Sequence, residues 1–100
     1  MNILLVCSQG ASTSILVQRL LKEVEKKELH WEIEALPILN ATETVGKYDL
    51  ILVAPQVTYQ KKILEKFTNR FGVPLLDIDP VIYGKMEAIT LVEKIEEYFN

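Results

Sequence analysis

Ile3-Leu4-Leu5-Val6-Cys7, followed by Ser8-Gln9-Gly10-Ala11-Ser12-Thr13-Ser14, passes within a dozen residues from a continuous apolar run to a polar, glycine-containing loop. A short run of branched residues with no polar alternation suits a strand buried on both faces of a parallel sheet. Beyond the loop, Ile15, Leu16, Arg19, Leu20, Glu23 and Val24 follow helical spacing, with Lys22, Glu25, Lys26 and Lys27 on the other side. The N-terminal quarter therefore reads as strand, loop, helix.

The same alternation continues along the chain. Trp31 to Leu36 alternates as an edge strand with one wet face should, and Pro37 halts it. Asn40-Ala41-Thr42-Glu43 predicts an N-cap and a short helix before Gly46. Leu50 to Ala54 is a second wholly apolar strand. Gln56 to Arg70 carries Tyr59, Ile63, Phe67 and Phe71 at helical steps and ends at Gly72. Pro74 to Ile78 predicts a fourth strand, and Met86 to Phe99 a terminal helix whose apolar side is Ile89, Leu91, Val92, Ile95 and Phe99. Strands alternating with crossover helices build an α/β domain, here a single four-stranded parallel sheet of order 2-1-3-4 with helices on both faces. One hundred residues, 36 of them Ile, Leu, Val or Phe, suffice for one such core and leave no room for a second, so residues 1–100 are expected to form one domain.

Composition excludes several classes of function. The net charge of −3 is spread thinly and forms no basic face, which argues against nucleic acid. The longest unbroken apolar runs are five residues, against roughly 20 for a spanning helix, and the N-terminus has no secretory pattern. One cysteine can form neither an internal disulfide nor a thiolate-rich metal site, so the chain reads as reduced, intracellular and free of a structural metal. Residues 1–18 carry no charged side chain, and Cys7 lies among them.

In an open parallel sheet, ligands sit outside the carboxyl ends of the strands at the switch point of strand order, here between strands one and three. Cys7, Pro55-Gln56 and Asp77 to Asp79 all fall at that edge. A strand running through a polar loop into a helix surrounds the loop with unpaired N–H groups, which favours an anion and is expected to lower the pKa of a thiol. Gly10 lets the backbone curl, and Ser8, Ser12, Thr13 and Ser14 offer hydroxyls. The plainer reading makes Cys7 a small buried hydrophobe and the hydroxyls helix caps.

Spacing separates the chemistries open to such a loop. A cysteine-dependent phosphatase needs an arginine six residues after the nucleophile, and that position is Thr13. A dithiol redox site needs a second cysteine where Gly10 stands, a P-loop needs a lysine that the loop lacks, and a dinucleotide fingerprint needs three glycines. What remains is a thiolate that accepts a phosphoryl group without readily hydrolysing it. A phosphatase-like or arsenate-reducing enzyme, and a non-catalytic module holding phosphate or flavin, stay open as alternatives. His30 reads as a surface residue, Asp79-Pro80 as a turn pair, and Glu93, Glu96 and Glu97 as a solvated face.

Cys7-Ser8-x-Gly10-x-Ser12-Thr13-Ser14 after an N-terminal strand, Pro55-Gln56-x-x-Tyr59 after the third strand, and Tyr83-Gly84 before the last helix together resemble the lactose/cellobiose-type IIB component of the bacterial sugar phosphotransferase system. Glu87-Ala88 departs from the family pattern of an acid followed by glycine. The resemblance implies a cytoplasmic phosphoryl carrier without a cofactor. Cys7 would take a phosphoryl group from a phosphohistidine on a IIA protein and pass it to a sugar held by the membrane-embedded IIC partner. The phosphate loop would be Ser8, Gln9, Gly10, Ala11, Ser12, Thr13 and Ser14, walled by Pro55, Gln56, Tyr59 and Tyr83. With transient partners only, a monomer is expected.

Overall fold

The computed structural model describes residues 1–8 and 13–100, together with the backbone alone at Ala11 and Ser12. Four parallel strands, β1 (Asn2–Cys7), β2 (Glu32–Pro37), β3 (Leu50–Val53) and β4 (Leu75–Asp77), form one sheet in the order β2-β1-β3-β4. Ile3 pairs with Ile33 on one side and Leu50 on the other, and Val53 pairs with Asp77. Ile3 to Val6 and Leu50 to Val53 are wholly buried, as strands covered on both faces must be. The alternating β2 is an edge strand with Glu32 and Glu34 exposed.

The crossovers from β1 to β2 and from β3 to β4 run in opposite directions across the sheet, so right-handed connections place α1 (Ala11–Lys26) on one face and α3 (Lys61–Phe71) on the other. The last helix, α5 (Ala88–Phe99), packs against α1. The buried side of α1 is Thr13, Leu16, Leu20 and Val24; that of α5 is Ala88, Leu91, Val92 and Ile95. The single turn α2 (Ile38–Ala41) is capped at Pro37, three residues earlier than the expected cap at Asn40, which instead lies exposed inside the turn.

Two further expectations are corrected. Gln56 to Arg70 is not one α-helix: Pro55–Gln60 is a 3₁₀ segment and α3 begins at Lys61. Three residues per turn rather than 3.6 changes the phase of the buried side. Val57, Leu64 and Thr68 face the core, while Tyr59, Ile63 and Phe71 are exposed and Phe67 half-buried. Thr68 donates to the Glu65 carbonyl at 3.3 Å, which satisfies its buried hydroxyl. Gly72, at φ 68°, closes α3 in the left-handed conformation that glycine adopts without steric cost.

The C-terminal region holds two helices where the periodicity predicts one. Asp79-Pro80 starts α4 (Pro80–Lys85): the Asp79 carboxylate accepts from the Val81 N–H at 2.8 Å and the Ile82 N–H at 3.3 Å, with Pro80 at the first helical position. Met86, at φ 53°, separates α4 from α5 and sends the chain back along α1. Ile89 and Phe99, expected inside, lie largely outside.

Replacing Asp79 by Ala removes the cap of α4 and is expected to cost about 1 kcal/mol, read from urea unfolding. A second prediction concerns Tyr48, whose hydroxyl donates to Glu34 at 2.6 Å. Desolvation first, then the hydrogen bond and charge of Glu34, push the phenol pKa up to about 12. An unfolded tyrosine titrates near 10, so this contribution to stability is whole below about 10 and is lost as the pH rises through about 12. The stability difference between wild type and Tyr48→Phe should shrink across that window, as followed by unfolding at stepped pH.

Candidate functional site

Cys7 is the last residue of β1, between β2 and β3 in the middle of the sheet, and is 5% exposed. Its register partner is Pro37, and its thiol donates to the Leu36 carbonyl at 3.7 Å, a weak bond that holds Sγ toward β2. Ala54 donates its N–H to the Val6 carbonyl, so the end of β3 is tied beside the end of β1. The thiol therefore sits at the carboxyl edge of the central strand, where the order of strands reverses.

Ser8 is exposed and shares a depression of about 230 Å³ with Pro37, Leu39, Tyr59 and Gln60. Gln9 and Gly10 lie outside the described residues, as do the side chains of Ala11 and Ser12. Ser14 is exposed on α1. Thr13 is 4% exposed, and its hydroxyl lies 2.7 Å from the hydroxyl of Tyr83 in α4, itself 7% exposed. The two residues are 70 apart in sequence, and only the fold brings them together.

The wall after β3 differs from its expected form. Pro55 is half-buried at the start of the 3₁₀ segment, Gln56 is exposed, and the residue that packs inward is Val57. Tyr59 is 80% exposed; it is neither a core residue nor enclosed, and it forms the rim opposite Ser8. Asp77 bonds Lys61 at 2.8 Å at the start of α3, and Asp79 caps α4, so both acids at this edge have structural partners. His30 is exposed.

Two features of the site were not visible to sequence reading. The Leu36 carbonyl reaches Cys7 because β2 is paired in register with β1, which no local pattern of the sequence specifies. Leu39, 82% exposed, stands over the Ser8 depression and continues into a neighbouring one of about 260 Å³ lined by Ile63 and Phe67. A depression of about 610 Å³ lies elsewhere, between α1 and the start of α5 beside Arg19, Lys22 and Lys85. It does not include Cys7, and the candidate site is located by the thiol and the sheet edge. No group of His, Cys, Asp or Glu among the described residues could hold a metal.

A parallel α/β domain with one cysteine closing its central strand places a candidate nucleophile at the edge where ligands bind in such sheets. Comparison with known proteins identifies the family. Residues 2–94 match the family described as "PTS system, Lactose/Cellobiose specific IIB subunit". The oligo-beta-mannoside-specific EIIB component of Bacillus subtilis is 34% identical over 87 residues, covering 87% of this chain and 84% of that one. The solution structure of the cellobiose-specific IIB component of Borrelia burgdorferi superposes with a TM-score of 0.76 at 41% identity, covering 93% of this chain and 85% of that one. The lactose-specific EIICB component of Staphylococcus epidermidis is 26% identical over 101 residues; the match takes in 99% of this chain but only 17% of that longer protein. The chain belongs to the lactose/cellobiose-specific IIB family of the phosphotransferase system, and is thus a phosphoryl carrier in sugar uptake.

Cys7 is buried, so a hydroxyl in its place would need a partner. A serine oxygen, carried on a bond shorter than C–S, would stop short of the Leu36 carbonyl that the thiol reaches only at 3.7 Å, so Cys7→Ser should lower the unfolding free energy by about 1–2 kcal/mol, measured by urea denaturation.

Proposed function

We propose that Cys7 is the phosphoryl acceptor. The observation that carries this reading is the position of the thiol: the end of the central strand, at the reversal of strand order, with the chain turning from it into the first turn of a 16-residue helix. The N–H groups at that helix start have no partners within the helix and carry the positive end of its dipole. A phosphoryl group on Sγ would sit against them.

In the first transfer, the Cys7 thiolate attacks the phosphorus of a phosphohistidine on the IIA protein; the S–P bond forms as the N–P bond breaks, and the electron pair returns to the imidazole. In the second, a hydroxyl of the sugar held by IIC attacks the same phosphorus; the O–P bond forms, the S–P bond breaks, and the hydroxyl proton is released. Such in-line transfers pass through a loose transition state, so positioning and donors to the equatorial oxygens are the main requirements. The loop Ser8, Gln9, Gly10, Ala11, Ser12, Thr13 and Ser14 would supply those donors. A threonine where a phosphatase carries an arginine leaves the group held without a fixed cation, which favours onward transfer over retention. The fusion of IIC with IIB in the Staphylococcus epidermidis relative supports a membrane partner for the second step, and the reading places this chain in the cytoplasm, where both partners can reach it. Among the described residues, no helix is long and apolar enough to cross a membrane.

Both partners must approach over the same edge. Leu39 and Tyr59, beside Ser8, and Ile63 next to them form an exposed apolar rim of the kind that marks a protein contact. We place the IIA contact there.

Incubation with phosphoenolpyruvate, the general phosphocarrier and a matching IIA protein should add one phosphate mass to the chain, mapped by mass spectrometry to Cys7 and absent from Cys7→Ser. An unmodified wild type beside a demonstrably active donor chain would refute the carrier mechanism. For the rim, Leu39→Asp should raise the KM for the phosphorylated donor by roughly tenfold while leaving kcat and the unfolding midpoint near wild type.

A further inference from the structure

Thr13 occupies the position where a phosphatase would clamp the phosphoryl group, and its hydroxyl is not free. It is buried against the phenol of Tyr83 at 2.7 Å, and either oxygen can be the donor. Each hydroxyl has a single proton and can also accept. With Thr13 donating, its proton is engaged by Tyr83 and an anion on Cys7 meets only an oxygen lone pair. With Tyr83 donating, the Thr13 oxygen is held and polarised while its own proton is left to turn toward an anion. A phenol is the stronger donor of the two, which favours the second arrangement.

The ring that makes this bond is itself firmly placed. Asp79 caps the start of α4, and the Met86 N–H closes its end on the Tyr83 carbonyl at 3.1 Å. Arg19 of α1 donates to the Met86 carbonyl at 3.4 Å, so α4 is attached to α1 at two points, one of them the Thr13 hydroxyl. The phenol thus approaches Thr13 from a capped helix that Arg19 also ties to α1.

We propose that Tyr83 is a positioning residue for phosphoryl transfer: by donating to Thr13 it directs the Thr13 hydroxyl proton to the phosphoryl oxygens, a neutral two-hydroxyl relay standing where a phosphatase has a guanidinium. This rests on the carrier reading and adds to it the means by which the dianion is held without a charge.

The test uses Tyr83→Phe, Thr13→Val, Thr13→Ser and the double variant Tyr83→Phe/Thr13→Val, with urea unfolding of each to identify any variant that fails to fold. Two readouts are taken. Inorganic phosphate is titrated against ¹⁵N-labelled protein and followed through the amide shifts of residues 8–14, and transfer from phosphorylated IIA is measured as kcat and KM separately. Tyr83→Phe is expected to raise the phosphate Kd and to lower kcat, each by about tenfold, with KM for the donor unchanged. Thr13→Val should match it, Thr13→Ser should stay near wild type, and the double variant should be no worse than Thr13→Val alone. Wild-type phosphate affinity and kcat in Tyr83→Phe, or losses that multiply in the double variant, would overturn the relay. The arms keep the two readings apart. A wild type that is phosphorylated while Tyr83→Phe is indifferent removes only the relay. A wild type that binds phosphate through Tyr83 but is never phosphorylated removes only the carrier mechanism. A wild type that does neither removes both.

Discussion

β1 is enclosed on both faces and hydrogen-bonded along both edges, and the rest of the molecule depends on that enclosure. Ile3, Leu4, Leu5 and Val6 have no exposed surface. Burying four such side chains is worth several kcal/mol, since each contributes about 1.5–3 kcal/mol relative to leaving it in water. A strand held this way cannot slip by one residue, because its neighbours on both sides would lose register with it. The residue at its carboxyl end is therefore placed as firmly as any in the chain, and that residue is Cys7.

Burial of the thiol at the strand end and exposure of Ser8 just beyond it suit the proposed carrier role, in which two partners would meet the group in turn. The thiol is shielded, held toward the Leu36 carbonyl, and bordered by an apolar rim whose most exposed members, Leu39 and Tyr59, belong to a single helical turn and a 3₁₀ segment. The acids at the same edge are occupied with the fold, Asp77 with Lys61 and Asp79 with the start of α4. On the carrier reading, a phosphorylated partner would meet the apolar surface of Leu39 and Tyr59 there, with Asp77 and Asp79 tied to other groups.

Where the periodicity of the sequence misleads, the physical causes are local. The apolar residues Tyr59, Ile63 and Phe71 fit a helical repeat, and a uniform α-helix would have buried them. Pro55 instead starts a tighter helix, and the change of pitch turns that stripe outward, next to the site. Asp79-Pro80 fits a turn as well as a helix start; the two differ only in the path of the chain after Pro80, and the packing of Ile82 and Tyr83 against the core decides for a helix. Met86 then has to take a left-handed conformation, which no periodicity foretells for a residue with a side chain.

The sequence by itself determined the order of strands and the place of the thiol. Uninterrupted apolar runs can be satisfied only in the interior of a parallel sheet, and right-handed crossovers leave one economical order, so Cys7 had to emerge at the switch point. Tertiary structure alone decided which hydroxyl meets which. Thr13 and Tyr83 lie at opposite ends of the chain, in segments whose local patterns say nothing of each other, and they touch because α4 is set down beside the start of α1. A hydrogen bond requires two atoms within about 3 Å, a tolerance far finer than hydrophobic periodicity can specify.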